Sequence, residues 1–342
     1  MNKRLLISLA LICLLAGACA KKNTTTTGLE AQEYLQKWME QYHPGIAPNA
    51  DGLYILEDTP GTGEVRNEEL PYIFSTQTIR TLSGTISTTM DEKLAQQLGT
   101  YQPVNYYGPR YQMVGGDVSY AGLDALLKGM KMGGHRVAVV PSWMLTTSRY
   151  DTQKEYLANS TNSTHLIYEI TLEGQCEDIE ALSIDALRNY VTAHYGANVM
   201  PVSYVKDEDP DGSFYFLSDT TSFEGVEKFA SDATVNLNYT GMLLSGKVFD
   251  TTDEIVAKNA DIYDSGRDYS PQSVAYSSSY ESITLGGSSI ISGFKGALSL
   301  MHWKGQQAIV LFTYTHGYST SGSGNAIPPY ATLIFELEIV DD

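Results

Sequence analysis

Between Glu30 and Tyr42, apolar residues fall at Tyr34, Trp38 and Tyr42 and at Leu35 and Met39. That three- and four-residue spacing puts them on one face of a predicted helix. Gly52-Leu53-Tyr54-Ile55-Leu56 follows a polar loop as a short strand. The same order returns past the middle of the chain. Ser183 is placed to cap a helix running to about Tyr195, with Leu187, Tyr190, Val191 and Tyr195 on one face and Gly196 as its stop. A polar loop from Lys206 to Gly212 then leads to a strand over Ser213-Phe214-Tyr215-Phe216-Leu217.

Two further stretches superimpose without a gap. Gly84-Thr85-Ile86-Ser87-Thr88-Thr89-Met90-Asp91-Glu92 lies over Gly246-Lys247-Val248-Phe249-Asp250-Thr251-Thr252-Asp253-Glu254, and Gly122 to Met130 lies over Gly293 to Met301. The second pair predicts a short helix in each half, followed by a strand at Arg136 to Val140 and at Gln307 to Phe312. Each half closes on an apolar-rich strand, Leu166 to Ile170 and Leu333 to Leu337. The pattern is a duplicated α+β unit with its boundary in the acidic stretch between Gly174 and Glu180.

Ahead of the first helix the pattern changes. Met1-Asn2-Lys3-Arg4 is a basic start, and Leu5 to Leu15 is an apolar run too short for a permanent membrane span. Small residues follow, so residues 1–18 read as a secretory signal peptide. Leu15-Ala16-Gly17-Ala18-Cys19 resembles the lipobox of bacterial lipoproteins, which implies that the Cys19 thiol is acylated and becomes the first mature residue. An ordinary signal peptide cut near Ala18 or Ala20 is the alternative. Residues 19–29 then serve as a polar tether. The expected location is the cell envelope, with the chain held by its lipid at the periplasmic face of a membrane or in the outer membrane.

Of three cysteines in the 342-residue chain, Cys13 leaves with the signal and Cys19 carries lipid. Cys176 alone remains, so apolar burial rather than a disulfide must hold the fold. A net charge of −18 argues against nucleic acid, whose phosphates it would repel.

From Val235 to Val340 the chain carries Tyr239-Thr240-Gly241, Gly246-Lys247-Val248-Phe249-Asp250, Ile290-Ile291 and Ile327-Pro328-Pro329 in that order. This resembles the FKBP-type peptidyl-prolyl isomerase family. The resemblance implies two tandem FKBP-like domains, each an antiparallel half-barrel sheet wrapped on a short helix and preceded by an N-terminal helix. Residues 30–174 are the degenerate copy. Residues 175–342 keep the pocket and carry a long insertion at about 253–281, rich in Tyr and Ser, which is expected to be a client-binding lip, a lid or a solvent loop. Carried over by position, the proline pocket is walled by Tyr239, Phe249, Ile290, Ile291, Tyr318, Ile327 and Phe335, with Phe294 as floor where many relatives have Trp. Asp250 and the Tyr318 hydroxyl stand at its lip. Glu281 is expected on the strand before Leu285-Gly286, at a position the family usually makes apolar. The substrates implied are proline-containing unfolded or exported polypeptides, with no cofactor and no metal.

The corresponding residues of the first half are Gln77, Ser87, Thr88, Leu123, Ser119-Tyr120, Thr146 and Ser160-Thr161-Asn162. A dry pocket is not expected from that set, and the first half is read as a spacer, a pairing surface or a second client-binding face. The histidines show no metal-ligand spacing. Asp207-Glu208-Asp209-Pro210-Asp211-Gly212 lacks the spaced ligands of a calcium loop and reads as a solvated turn. Two functions follow from the sequence: a lipid-anchored prolyl isomerase, or a non-catalytic FKBP-like lipoprotein that binds chains.

Overall fold

The computed structural model describes residues 27–150, 152–159, 161–277 and 279–340; the signal peptide, Cys19 and most of the tether lie outside the described residues. The first unit runs α1 (Thr27–Tyr42), β1 (Tyr54–Thr59), β2 (Tyr72–Thr81), β3 (Ile86–Thr89), α2 (Glu92–Gln97), β4 (Arg110–Met113), α3 (Ala121–Leu127), β5 (Gly134–Val140), α4 (Gln153–Asn159) and β6 (Leu166–Cys176). The second runs α5 (Ile179–Tyr195), β7 (Phe214–Leu217), β8 (Thr234–Leu243), β9 (Val248–Thr251), α6 (Glu254–Asn259), β10 (Gln272–Ala275), β11 (Thr284–Leu285), β12 (Ser288–Ser289), α7 (Ser292–Ser299), β13 (Gln307–Phe312) and β14 (Leu333–Val340).

The two sheets have one plan. The first is ordered β1-β5-β6-β2-β3, with β4 also on β2; the second is ordered β7-β13-β14-β8-β10-β11-β12, with β9 also on β8. All pairs are antiparallel, and the register repeats. Thr81 faces Leu166 as Leu243 faces Leu333, and Thr78 faces Thr89 as Thr240 faces Thr251. In both threonine pairs the hydroxyls are hydrogen-bonded, at 2.9 and 2.8 Å.

The gapless run at 84–92 and 246–254 has a local cause. Gly84 and Gly246 turn the hairpin at φ +87° and +83°, where a Cβ is disfavoured. The Asp91 and Asp253 carboxylates then accept amides of the first helical turn, from Leu94 in one copy and from Ile255 and Val256 in the other. The second aligned stretch is fixed by close packing of helix on sheet. A Cβ at Gly122 would lie 2.3 Å from Val140, and one at Gly293 would lie 2.7 Å from the Phe312 ring. Each glycine lets its helix sit on the strand that follows.

The chain departs from the sequence reading in four places. Helix α1 starts at Thr27, so the last tether residues are helical; it buries Ala31, Leu35 and Met39, while Tyr34 and Tyr42 stay more than half exposed. Asp178, not Ser183, caps α5, and the Ser183 hydroxyl instead donates to the Ile179 carbonyl inside the helix. Glu281 is not on a strand. It lies in a 3-10 turn, Tyr280–Ser282, and Ile283 supplies the buried apolar side chain there. The long excursion is not a solvent loop, because β10 hydrogen-bonds to β8 and Tyr276 is buried against Phe229.

The N-terminal helices also differ in placement. Leu35 and Met39 of α1 enter the main core of the first domain. Leu187 and Val191 of α5 instead cover Tyr215, Leu311 and Ile334 on the outer face of the second sheet. Strand alternation sends Phe214, Val310, Phe312, Leu333 and Phe335 to the opposite face, against Phe294 of α7.

Candidate active site

The second sheet gathers the predicted pocket residues on one side of α7. Tyr239 stands on β8, Phe249 and Asp250 on β9 and Phe335 on β14; Ile290 and Ile291 precede α7, and Phe294 lies in its first turn. Tyr318 and Ile327 belong to the connection between β13 and β14. Phe249, Phe294, Ile327 and Phe335 are buried in one cluster, and half-buried Tyr239, Ile290, Ile291 and Tyr318 pack against it. The structure thus brings the residues singled out in the sequence together as a group.

Gly241 makes the cluster possible. It faces Phe335 across the β8–β14 ladder and Asp250 across β8–β9. A Cβ there would lie 2.6 Å from the Phe249 ring and 2.7 Å from the Phe335 ring. With none, those rings meet edge to face with centroids 5.7 Å apart. Phe294 meets Phe335 at 4.9 Å and Tyr239 at 5.7 Å, both near perpendicular, the arrangement that ring quadrupoles favour. Phe294 is 3 % exposed and lies buried against Tyr239 and Phe335.

Polar groups are confined to the lip. The Tyr239 hydroxyl donates to Asp250 Oδ2 at 2.8 Å, and Arg267 forms an ion pair with Asp250 Oδ1 at 2.5 Å. Burial, and then the Asp250 charge, push the Tyr239 phenol above its ordinary value; the same two causes raise Tyr318. Both phenols therefore remain neutral donors across the physiological range. Ile291 is the N-cap residue of α7, with its carbonyl accepting from the Lys295 amide at 3.1 Å. Its own amide lies outside that helix's hydrogen-bond ladder.

Arg267 was not legible as a site residue. It lies in the excursion after α6, far in sequence from β9, and only the path of that segment brings it to Asp250. Tyr263 and Tyr269 stack on each other beside it, with the Arg267 guanidinium 5.3 Å from the Tyr269 ring centroid. This part of the excursion forms the lip.

The first sheet has no such aromatic cluster at the matching positions. The Gln77 amide donates to Ser75 Oγ and to Gln112 Oε1, at 3.0 and 3.1 Å. Ser87 takes the place of Phe249 and donates to the Ile79 carbonyl. Ile79 itself stands where the second sheet has Gly241, and Tyr168 where it has Phe335. Leu123 is buried at the Phe294 position. Ser160, matched to Ile327, lies outside the described residues. Among the described residues no group of three His, Cys, Asp or Glu side chains is placed to hold a metal ion, and no helix is long and apolar enough to cross a membrane.

The family model for FKBP-type peptidyl-prolyl cis-trans isomerase matches residues 225–340. This part of the chain belongs to the FKBP family. The FKBP domain is similar to FK506-binding protein 59 of Drosophila melanogaster, at 31% identity over 116 residues. That match covers 34% of this chain and 21% of the fly protein, so the chain spans about a fifth of that curated relative. Two solved structures also match. The three FKBP domains of wheat FKBP73 share 17% identity over 85% of this chain and 95% of theirs, with a TM-score of 0.28. A peptidyl-prolyl cis-trans isomerase from Pseudomonas syringae shares 22% identity over 49% of this chain and 98% of its own, with a TM-score of 0.30.

Proposed function

We propose that the FKBP domain isomerises X-Pro bonds in exported polypeptides, working from a membrane to which an acylated Cys19 tethers it. The convergence of Tyr239, Phe249, Phe294 and Phe335 under an Asp250 lip carries this reading. Rotation about an X-Pro bond breaks no covalent bond. It requires only loss of amide resonance, against a barrier of about 18–20 kcal/mol. Aromatic and aliphatic walls withdraw the planar, polar amide from water, a change less costly for the twisted, less polar state. Phe294 and Phe335 supply flat apolar surfaces for the proline ring, and Ile327 closes one side. The Ile291 amide and the neutral Tyr318 hydroxyl are suited to hold the flanking carbonyls, so that their binding energy is expressed in the twisted state. The Asp250–Tyr239–Arg267 network fixes the lip. Uncatalysed isomerisation takes tens to hundreds of seconds, slow enough to limit folding of a client.

A protease-coupled assay on a proline tetrapeptide tests the chemistry. Acceleration is expected from the full chain, with kcat/KM falling at least tenfold in Phe249→Ala. No acceleration by the intact protein sinks the enzymatic reading; peptide binding retained without acceleration would make the domain a binder. Anchoring has its own test: Cys19→Ser should move the protein from the membrane fraction to the soluble one.

A further inference from the structure

The connection from Tyr318 to Tyr330 supplies the Ile327 wall, and its backbone is unusual at both ends. Ser319 and Tyr330 have φ +57° and +60°, a left-handed conformation that residues bearing a Cβ adopt at a cost. The Tyr330 amide donates to the Ser319 carbonyl at 3.1 Å, closing the loop at its base. Inside it, Ser323 and Ile327 exchange two backbone hydrogen bonds, at 2.9 and 3.1 Å. Strained backbone of this kind persists where surrounding contacts over-determine it.

Several of those contacts come from outside the FKBP domain. The Tyr330 ring is 8 % exposed and is met edge-on by Tyr72 of the first domain at 5.6 Å, and by Tyr314 at 5.1 Å from its other neighbour. Tyr314 lies in a short turn whose flanking residues Thr313 and Thr315 donate to Glu180, on the first turn of α5. The Tyr106 amide, in the first domain's 99–109 loop, donates to the Asn325 carbonyl at 2.8 Å, and its ring packs on the FKBP core. Lys247, at the β8–β9 turn, donates to the Pro103 carbonyl at 2.6 Å. The first domain thus touches the loop at its base and near its tip, and the hairpin that leads into Phe249.

We infer that the first domain is a clamp for the proline pocket: Tyr72 and the 103–106 segment are positioning residues that hold the 318–330 loop so that Ile327 forms its wall. The inference rests on the isomerase reading of that pocket. Tyr72 touches no substrate; it acts through Tyr330. The Ile327 wall grips proline in the planar and twisted states alike, so loosening the loop weakens binding of both equally.

The test uses the full chain with Tyr72→Ala, Lys247→Met and their double variant, and with Tyr72→Phe, which keeps the ring contact. Hydrogen exchange is read at the Ser323, Ile327 and Tyr330 amides. In the double variant these should exchange at least tenfold faster than in the unaltered protein, with β8 and β14 amides unchanged, and Tyr72→Phe should match the unaltered protein. On a proline peptide the double variant should raise KM fivefold or more and leave kcat within twofold. Unchanged loop exchange overturns the clamp, as does loosening that spreads equally through β8 and β14, or a KM that stays within twofold in an active enzyme. An intact protein without isomerase activity would refute the function instead, and loop exchange would still decide whether the first domain holds the loop.

Discussion

A methyl group added at Gly241 would push into two phenyl rings at once, 2.6 Å from Phe249 and 2.7 Å from Phe335. Rings buried in a packed cluster have no free direction to yield, and overpacking of this kind costs about 1–3 kcal/mol. Gly241→Ala is therefore expected to lower the unfolding free energy of the FKBP domain by that amount, read from urea titration, and to reduce kcat/KM at least tenfold, by displacing Phe249 from the wall. The first domain shows the alternative solution to the same geometry. Ile79 fills the space that Gly241 leaves open, and Ser87 replaces the ring that needed it. Gly241 against Ile79, with Phe249 against Ser87 and Phe294 against Leu123, thus separates the copy that gathers these rings from the copy that does not.

At the scale of elements, one imidazole adds a polar tie between its domain and α1, beside the core contacts of Leu35 and Met39. His165, 2 % exposed, accepts the Ser142 amide at Nδ1 and donates from Nε2 to the Ala31 carbonyl on α1, at 3.0 and 2.8 Å. Burial lowers its pKa, and the Ala31 bond only partly opposes this. The folded state therefore favours the neutral ring. Its contribution to stability is complete above the unfolded value of about 6.5 and is lost as pH falls below it. Acidification from pH 7.5 to 5 should destabilise the first domain, followed through Trp143, whose ring is 5.7 Å from His165. His165→Gln should flatten that dependence.

Elements whose signal is local were legible in the sequence. The two hairpin glycines and the capping aspartates carry their geometry in adjacent residues, so the repeat and the order of strands could be read directly. The clustered residues were named through the resemblance; most lie on the strands and helix of the repeat, while Tyr318 and Ile327 lie in the β13–β14 connection. Strand β10 was not: its four residues, Gln272 to Ala275, are half polar, and pairing with β8 and β11 makes them a strand. Arg267 and the clamp residues Tyr72 and Tyr106 share this character. Their roles depend on long-range contacts that leave no periodicity behind. Ser183 misled because a serine within an apolar-periodic run resembles a cap, whereas that run begins at Ile179, directly after Asp178.

The molecule as a whole is defended by buried phenols more than by charge. Burial pushes Tyr168 up to about 12 and raises Tyr239 and Tyr276 as well. These groups hold their protons more tightly when folded, so their contribution is complete below pH 10 and is lost as pH rises through the folded values. For Tyr168 alone, the loss between pH 10 and about 12 amounts to about 3 kcal/mol. Urea unfolding should show constant stability from pH 8 to 9.5 and a steep fall above pH 10.5, coincident with phenolate absorbance. A net charge of −18 adds self-repulsion at those pH values and steepens the fall.

Two sheets that share the strand orders β1-β5-β6-β2 and β7-β13-β14-β8 on one chain invite a particular error during synthesis. The closing strand of one copy can zip onto the central strand of the other, since the register from Ser75–Leu172 to Thr81–Leu166 is that of Leu237–Ile339 to Leu243–Leu333. The exchange of Gly241 for Ile79 acts against it. In the correct sheet Phe335 lies opposite a residue with no side chain. Laid on β2 in the same register, it would lie opposite Ile79, where the first copy carries Tyr168, and would lose the edge of Phe249 that Gly241 lets it meet. The glycine that lets the rings of the second copy meet therefore also gives β14 a reason to prefer β8 over its twin strand, and works against the two domains trading parts.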